Sequence, residues 1–181
     1  ILLSDKLTPA QSKEFDKIFD IMKGSFPEDE YRNYDEQLSL FDDSDYAVYV
    51  LRGENKSVKA FIAVWNFTEF LYVEHFAVAP QFRNEGIGAE ILNEVTSNSD
   101  KIVCLEVEPP ESEMPKRRIN FYKRNGFFLN DFPYQQPALS KNKKPLKLFL
   151  MTSENTVGKD EFEKIKNVLY HRVYKLQKAQ N

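Results

Sequence analysis

Apolar residues near the amino terminus recur at helical spacing. Steps of three and four residues place one set on a single helical face that belongs to a core. That set is Phe15, Ile18, Phe19 and Met22. The segment before it, Thr8-Pro9-Ala10-Gln11, is typical of a helix start with Thr8 as the N-cap and Pro9 in the first turn. A second, shorter helix is predicted within residues 31–41, with Tyr34, Leu38 and Phe41 as its apolar positions.

Strand patterns begin at residue 46. Runs rich in β-branched and aromatic residues cover 46–51, 60–67 and 71–78, and the short turns between them predict an antiparallel meander. A helix over 86–95 follows, and then a β-rich run over 101–107. This strand, helix, strand order predicts two parallel neighbouring strands joined by a right-handed crossover.

The last third of the chain alternates in the same way. A basic helix over 115–124 stops at Asn125-Gly126, and strands follow at 127–129 and 146–151. A helix over 159–175 closes the pattern, with one apolar stripe formed by Phe162, Ile165, Leu169, Val173 and Leu176. No internal repeat or low-complexity linker is present. The pattern predicts a single α/β domain over residues 1–181, with a mixed sheet and helices before, between and after the strands.

Composition narrows the class of protein. The chain has 181 residues, 41% of them hydrophobic and 29% charged, and a net charge of -3, which fits neither a disordered protein nor a general nucleic-acid binder. The single cysteine excludes an intramolecular disulfide, and no Cys/His grouping has the spacing of a metal site, so we expect a cytoplasmic protein without a metal. Residues 60–72, the longest nearly uncharged stretch, are too few to span a membrane, and no signal peptide is expected.

The segment over residues 76–89 points to chemistry. A strand leads through a short loop into a helix whose first turn carries Gly86 and Gly88. Such a helix start presents backbone N–H groups, and glycine lets an anion approach them closely, so an anion site is predicted. A phosphate-binding P-loop needs a Lys-Ser/Thr pair where Ala89-Glu90 stands, and the third glycine of a dinucleotide fingerprint is missing. The alternative is that these glycines serve the backbone alone.

Two motifs in this context resemble a known family. Residues 83–88, Arg-Asn-Glu-Gly-Ile-Gly, resemble the R/Q-x-x-G-x-G/A signature of the GNAT N-acetyltransferases, and residues 121–127 resemble the family's F/L-Y-x-x-x-G-F motif. The resemblance covers about residues 10–151 and leaves a C-terminal helix at 158–176 outside the common core. It implies a GNAT-like mixed, mostly antiparallel sheet with a splayed parallel strand pair and flanking helices.

The resemblance also implies acetyl-coenzyme A as the cofactor. Its pyrophosphate would lie on the backbone N–H groups of residues 84–89, with Arg83 as a charged flank. The strand ending at Val78 would bind the pantetheine arm through main-chain groups that the splay leaves unpaired. The expected cofactor-binding residues are Phe76, Ala77, Val78, Arg83, Asn84, Glu85, Gly86, Ile87, Gly88 and Ala89.

Tyr122 matches the family tyrosine whose phenol protonates the departing thiolate of coenzyme A. An ordinary tyrosine pKa of about 10 keeps the phenol protonated at neutral pH, which suits that role. The alternative is an aromatic plug with its hydroxyl on the backbone.

Transfer to an amine also needs a proton acceptor, because the attacking nitrogen must be neutral. Alternation along strand 71–78 predicts Tyr72, Glu74, Phe76 and Val78 on one face, with His75 and Ala77 on the other. In the family the acceptor side of this strand can carry the base, so Glu74 is the candidate. A carboxylate in an apolar strand is costly unless it is functional or paired, and an ion pair with Arg117 or Arg118 is the alternative. Glu106 and Glu108 are backup candidates.

Other residues favour plainer roles. A lone His75 is expected to be a satisfied core residue and Cys104 a small hydrophobe, because a Cys–His nucleophile lacks a third orienting group. Lys116 stands where many family members carry an asparagine that helps to hold the cofactor. The basic run 116–118 either meets coenzyme A phosphates or an acidic substrate, or is a solvated helix face.

The resulting hypothesis is an N-acetyltransferase acting on a primary amine of a small molecule or protein. The N-terminal helices, the face of Tyr72 and Glu74, and a loop around residues 132–135 would form an aromatic, mildly acidic pocket suited to a cationic amine. The alternatives are a catalytically silent coenzyme A-binding module and an interaction protein whose C-terminal helix docks on a partner or second copy. A monomer or homodimer is expected, with neither nucleic acid nor membrane as a partner.

Overall fold

A computed structural model describes residues 6–176, in two compact units that divide between Leu105 and Glu106. The expectation of a single domain therefore stays a prediction. The first unit contains, in chain order, β1 (Leu7–Pro9), α1 (Phe15–Ser25), α2 (Tyr34–Ser39), β2 (Tyr46–Arg52), β3 (Val58–Asn66), β4 (Phe70–Val78), α3 (Ile87–Ser97) and most of β5 (Ile102–Val107). The second contains α4 (Glu113–Arg124), β6 (Phe127–Gln136), β7 (Leu146–Ser153) and α5 (Lys159–Val168).

The strands form a seven-stranded, mostly antiparallel mixed sheet, as the sequence indicates. In the first unit β1, β2, β3 and β4 pair antiparallel in that order, and β5 joins β4 in parallel. In the second unit β6 and β7 pair antiparallel. Because α3 connects β4 to β5, the predicted strand, helix, strand unit is confirmed.

β4 contains a bulge that the sequence pattern does not show. Val64 of β3 pairs with Val73, but the next residue back, Ala63, pairs with His75, so Glu74 is the extra residue. The bulge ends the period-two alternation. The prediction that Glu74 and His75 lie on opposite faces is wrong, because both side chains reach the segment between α1 and α2.

The amino-terminal helix begins later than predicted. Thr8 and Pro9 lie in β1, which pairs with β2, and a capping box joins Gln11 to Glu14 in a 3-10 turn before α1. The N-cap assignment of Thr8 is therefore wrong, because strand pairing takes up its backbone. The apolar face of α1 is confirmed: Phe15, Ile18, Phe19 and Met22 are buried.

Two further boundaries differ from the prediction. The second helix, α2, spans only six residues and buries Gln37, whereas Tyr34 is 41% exposed and packs its ring against Phe15 and Phe19. Residues 132–135 lie within β6 and do not form a loop. A register shift between Asn130 and Tyr134 interrupts the strand pattern there, which hides the strand from the sequence.

The C-terminal helix covers its own unit. α5 continues into a π-helical turn over Leu169–Val173, and its apolar stripe from Phe162 to Val173 is buried. The Phe162 ring lies 4.8 Å from that of Phe132 on β6. Leu176, the last predicted member of the stripe, is 44% exposed. Most of the apolar stripe is therefore buried within the described chain.

Candidate active site

A turn with two left-handed residues precedes α3. Asn84 has φ of 66° and Gly86 has φ of 80°. Asparagine and glycine adopt this conformation at the least cost. The first helical hydrogen bond runs from Glu90 N to Gly86 O, so the N–H groups of Ile87, Gly88 and Ala89 belong to the first turn, which has no acceptor within the helix. A Cβ at Gly86 would meet no atom within 4 Å. The turn therefore combines backbone donors that the helix does not use with open space beside Gly86.

β4 pairs with β5 over its first four residues. The β4–β5 pairs run from Phe70 with Ile102 to Val73 with Leu105, and the described register stops there. From His75 to Val78 the strand stays paired with β3 on its other edge. The Glu74 side chain is only 3% exposed, although the whole residue is half-buried, so its main chain accounts for the exposure. The splay of the strand pair stays a prediction.

Arg83 links three parts of the first unit. Its Nε donates to Val78 O at 3.0 Å, and its Nη2 donates to Ser25 Oγ, at the end of α1, at 3.1 Å. The guanidinium thus forms a hydrogen bond to the main-chain carbonyl of Val78, one of the expected cofactor-binding residues. Phe76 and Ala77 lie just before that point on β4.

Glu74 belongs to a buried ion pair with Arg32, which lies between α1 and α2. Arg32 Nη1 lies 2.5 Å from Oε2 and Nη2 lies 3.2 Å from Oε1, while Trp65 Nε1 donates to Oε1 at 2.9 Å. The two side chains are only 6% and 3% exposed. An ion pair is therefore present, but its cation is Arg32; the prediction of Arg117 or Arg118 as partner is wrong.

These contacts determine the charge of Glu74. Burial is the largest single influence and raises the pKa of Glu74, but the charges of Arg32 and His75 and the hydrogen bonds from Arg32 and Trp65 together outweigh it and hold the pKa below its ordinary value. Arg32 is fixed in turn, because its backbone N–H and its Nη1 both donate to Gln37 Oε1. The carboxylate is thus ionised and accepts three hydrogen bonds, which makes it a weak proton acceptor.

His75 lies beside this pair and is 2% exposed. Its Nε2 lies 2.6 Å from Glu30 O, and its ring packs edge-on against Phe26 at 5.1 Å. Burial lowers the pKa of His75, an effect that the Glu74 charge opposes without cancelling. The folded protein therefore holds a neutral imidazole at neutral pH.

This lowered pKa predicts a loss of stability in acid. The unfolded chain binds a proton at His75 near pH 6.5, before the folded chain does, so the free energy of unfolding decreases as the pH falls below about 6.5. Urea unfolding between about pH 7 and about pH 5 measures the decrease. His75→Gln should reduce it, while the exposed His171→Gln should leave it unchanged. Equal pH slopes for wild type and His75→Gln would contradict the prediction.

Tyr122 lies in the second unit, on α4. It is 8% exposed, and its ring packs edge-on against Phe121 and Phe127, the other aromatic residues of the motif. Asn125 Nδ2 donates to Phe121 O at 2.7 Å, and Gly126 has φ of 88°, so the helix stops as predicted. The motif thus holds the tyrosine in a fixed aromatic setting.

Glu106 occupies a second polar cluster in this unit. Its Oε1 accepts hydrogen bonds from Tyr134 at 2.8 Å and from Tyr174 in the segment after α5. Burial, together with the Glu106 charge, raises the pKa of Tyr134 well above its ordinary value. The backup base candidate therefore has one oxygen engaged by two phenols. Glu108 is half-buried in the loop that follows β5.

The remaining candidates take structural positions. Cys104 is buried within β5. On α4, Lys116 and Arg117 are exposed and Lys116 lies 3.7 Å from Glu113, so this part of the basic run faces solvent. Over residues 6–176, no group of three acidic, histidine or cysteine side chains could hold a metal ion. No helix in the same range is long and apolar enough to cross a bilayer.

Comparison with known proteins tests the fold and the motifs together. The model of the acetyltransferase (GNAT) domain matches residues 44–128. A solved structure of a GNAT-family protein from Bacteroides thetaiotaomicron, assigned as an acetyltransferase, is 32% identical, with a TM-score of 0.83 over 94% of this chain and 99% of that one. The chain belongs to the GNAT family of acetyltransferases. It is therefore an acyltransferase that uses acetyl-CoA.

More distant solved structures share the fold of this acetyltransferase. A chimera of spermidine N-acetyltransferase SpeG from Vibrio cholerae and hSSAT is 13% identical, with a TM-score of 0.60 over 81% of this chain and 94% of the other. A ribosomal-protein alanine N-acetyltransferase from Escherichia coli is 15% identical, with a TM-score of 0.58 over 85% of this chain and 96% of the other. At these identities the likeness is one of fold.

The turn before α3 fits the pyrophosphate of acetyl-CoA. The backbone donors of residues 87–89 have no acceptor within the helix, and a Cβ at the neighbouring Gly86 would meet no atom within 4 Å. The same unit brings together Phe76, Ala77, Val78 and Arg83, through the bond from Arg83 to Val78. Asn84 and Glu85 are exposed in the turn itself. Tyr122 lies in the other unit.

Sequence reasoning missed Arg32, Trp65 and Tyr174, which hold the carboxylates of Glu74 and Glu106. Arg32 carries a signal in retrospect, because it is the sole cation in the acidic segment 28–36. No sequence signal identifies Trp65 or Tyr174, because Trp65 reaches Glu74 and Tyr174 reaches Glu106 only through tertiary packing.

Proposed function

We propose that this acetyltransferase moves the acetyl group from acetyl-CoA to a primary amine by direct transfer, with Tyr122 as the general acid. The observation that carries the proposal is the turn at Gly86, which begins α3 and lies close in the chain to the end of β4. The two features supply what a nucleotide thioester needs: backbone donors for its pyrophosphate and a strand edge for its pantetheine arm.

Each expected cofactor residue has a role in this proposal. The N–H groups of Ile87, Gly88 and Ala89 bind the pyrophosphate at the positive end of the α3 dipole. Asn84, Glu85 and Gly86 shape the turn around it, and the main chain of Phe76 and Ala77 holds the pantetheine arm. Arg83 positions the turn through Val78 O and Ser25 Oγ. Acetyl-CoA supplies the acetyl group as an activated thioester.

The reaction then needs one acid and one proton acceptor. The neutral amine forms the C–N bond as the C–S bond breaks, and the electron pair of that bond leaves with sulfur. The Tyr122 phenol gives its proton to the sulfur and regains one from the nitrogen by way of solvent. Glu74 remains in the proposal as the catalytic carboxylate on the side of β4 where the amine would bind.

The acceptor is proposed to be an amine that is cationic at neutral pH. Segment 28–36 carries five carboxylates, and the charge of Arg32, its sole cation, is compensated by Glu74. This acidic segment attracts a cation to the side of the unit where β4 bulges. The distant fold neighbours act on spermidine and on a ribosomal-protein alanine, so the acceptor is either a small molecule or a protein amine.

One observation favours the silent alternative. The carboxylate of Glu74 is held by Arg32 and Trp65, which is what a coenzyme A-binding module without a base would show. Turnover separates the two: acetyl-CoA binding with no release of coenzyme A in the presence of a panel of primary amines would favour the module.

The proposal is tested by calorimetric titration with acetyl-CoA of wild type, Gly86→Val and Gly126→Val. Both glycines have left-handed φ and open space at the Cβ position, so both variants lose a similar stability, about 1–2 kcal/mol. Only Gly86→Val places a side chain before the α3 donors, and its affinity should fall at least about tenfold, or about 1.4 kcal/mol. Equal affinities for the two folded variants would place the pyrophosphate elsewhere.

A further inference from the structure

His75 Nδ1 and Glu74 Oε2 lie close together and can form a hydrogen bond only if Nδ1 carries a proton. His75 Nε2 faces the carbonyl of Glu30, which can only accept, so Nε2 carries the ring hydrogen of the neutral imidazole. Nδ1 then bears a lone pair, and it lies 3.3 Å from Glu74 Oε2. Nδ1 is buried and has no hydrogen-bond partner among the residues that the structure describes. Two hydrogen-bond acceptors, His75 Nδ1 and Glu74 Oε2, thus face each other.

A proton on Nδ1 would satisfy both groups. The imidazolium would donate from Nε2 to Glu30 O and from Nδ1 toward Glu74 Oε2, and the carboxylate would stabilise its charge. The opposite placement, on Glu74, would remove the partner of the buried Arg32 charge. Of the two neighbours, the imidazole is therefore the better proton acceptor.

We propose that His75 Nδ1 takes the proton that the acceptor amine loses, and that Glu74 holds the resulting imidazolium. The inference rests on the proposed amine transfer. The N–H bond of the ammonium breaks, its electron pair stays on nitrogen, and an Nδ1–H bond forms. The ring is 2% exposed, so Nδ1 does not meet the amine directly; the proposal includes a relay that brings the proton to Nδ1 and returns it to solvent after transfer.

The surroundings of His75 fix this arrangement. The charged groups that face it are Glu74, on its own strand, and Arg32, from the segment between α1 and α2; the same segment provides the Glu30 carbonyl. Phe26, at the end of α1, covers the ring. Arg32 acts as a positioning residue, because it keeps Glu74 ionised and turned toward the imidazole.

The first test needs no substrate. The chain has two histidines, so nitrogen NMR of histidine-labelled protein, compared with His171→Gln, identifies the two nitrogens of His75. We expect the Nε2–H tautomer at neutral pH, with Nδ1 gaining a proton as the pH falls within the folded range. An Nδ1–H tautomer, or an Nδ1 that stays unprotonated throughout that range, would overturn the proposal.

The second test uses His75→Gln, whose amide can still donate to Glu30 O but cannot take the proton. We expect kcat to fall about 100-fold or more, acetyl-CoA affinity to stay unchanged, and the decline of kcat on the acid side of the pH profile to disappear. His171→Gln should retain the wild-type profile. A folded His75→Gln enzyme with wild-type kcat and pH profile would overturn the role of His75. Failure of wild type to bind acetyl-CoA would instead overturn the proposed function, and the NMR result on His75 would still stand.

Discussion

Tyr122→Phe should lower kcat by a factor of about 100 to 10,000 while leaving acetyl-CoA affinity nearly unchanged. The substitution removes only the hydroxyl, because phenylalanine preserves the packing of the ring against Phe121 and Phe127. Without the phenol proton the sulfur must leave as a bare thiolate, which raises the barrier to breakage of the C–S bond. Steady-state kinetics with a verified amine, beside calorimetry with acetyl-CoA, separates turnover from binding.

A matched control is available in Tyr49, a half-buried tyrosine on β2. Tyr49→Phe also removes one phenol hydroxyl, and its kcat should equal that of wild type. If both variants turn over like wild type, the phenol of Tyr122 is not the acid and the residue serves as an aromatic plug.

Arg32→Met should destabilise the protein by about 3–5 kcal/mol, because it leaves the buried charge of Glu74 without its cation. The double variant Arg32→Met with Glu74→Gln should recover much of this loss, since the glutamine is neutral and its oxygen still accepts from Trp65 Nε1. Urea unfolding of wild type, both single variants and the double variant measures the coupling free energy.

The pH dependence of this loss follows from the lowered pKa of Glu74. The stabilisation by the pair is fully present above the unfolded value, about 4.3, and is lost as the pH falls through the lower folded value. The difference between wild type and Arg32→Met should therefore shrink in acid. The exposed pair of Lys23 and Asp20, 3.4 Å apart, is the control, and Lys23→Met should cost less than about 1 kcal/mol. If Arg32→Met and Lys23→Met lower the free energy of unfolding by similar amounts, the buried pair stabilises the protein no more than the exposed pair does.

The alternation of β4 shows where sequence reasoning fails. A period-two pattern assumes one residue for each step of the pleat, and the extra residue at Glu74 shifts every later side chain by one position. His75 therefore joins Glu74 on the side of the α1–α2 segment. Bulges leave no clear composition signal in an apolar strand, so the pairing of these two residues could not be predicted.

The amino-terminal error has a related cause. Thr8 and Pro9 satisfy the local rules for a helix start, but their backbone pairs with Val50 and Tyr49 of β2, at least forty residues away. Local preference is weak beside a strand pairing of this kind. The apolar face of α1 was predictable because its spacing is local and its residues are simply buried.

The sequence by itself determined the elements that depend on local pattern and backbone conformation: the meander, the crossover helix, and the motifs at residues 83–88 and 121–127 that identify the family. The glycines at 86 and 126 were readable as parts of a helix start and a helix stop, and both have left-handed backbone. Only the tertiary structure decided that Arg32 neutralises Glu74 and that His75 turns its Nδ1 toward the same carboxylate. The first contact joins residues 42 positions apart in the chain, and the second depends on a bulge that places neighbouring side chains together, so neither periodicity nor spacing encodes them.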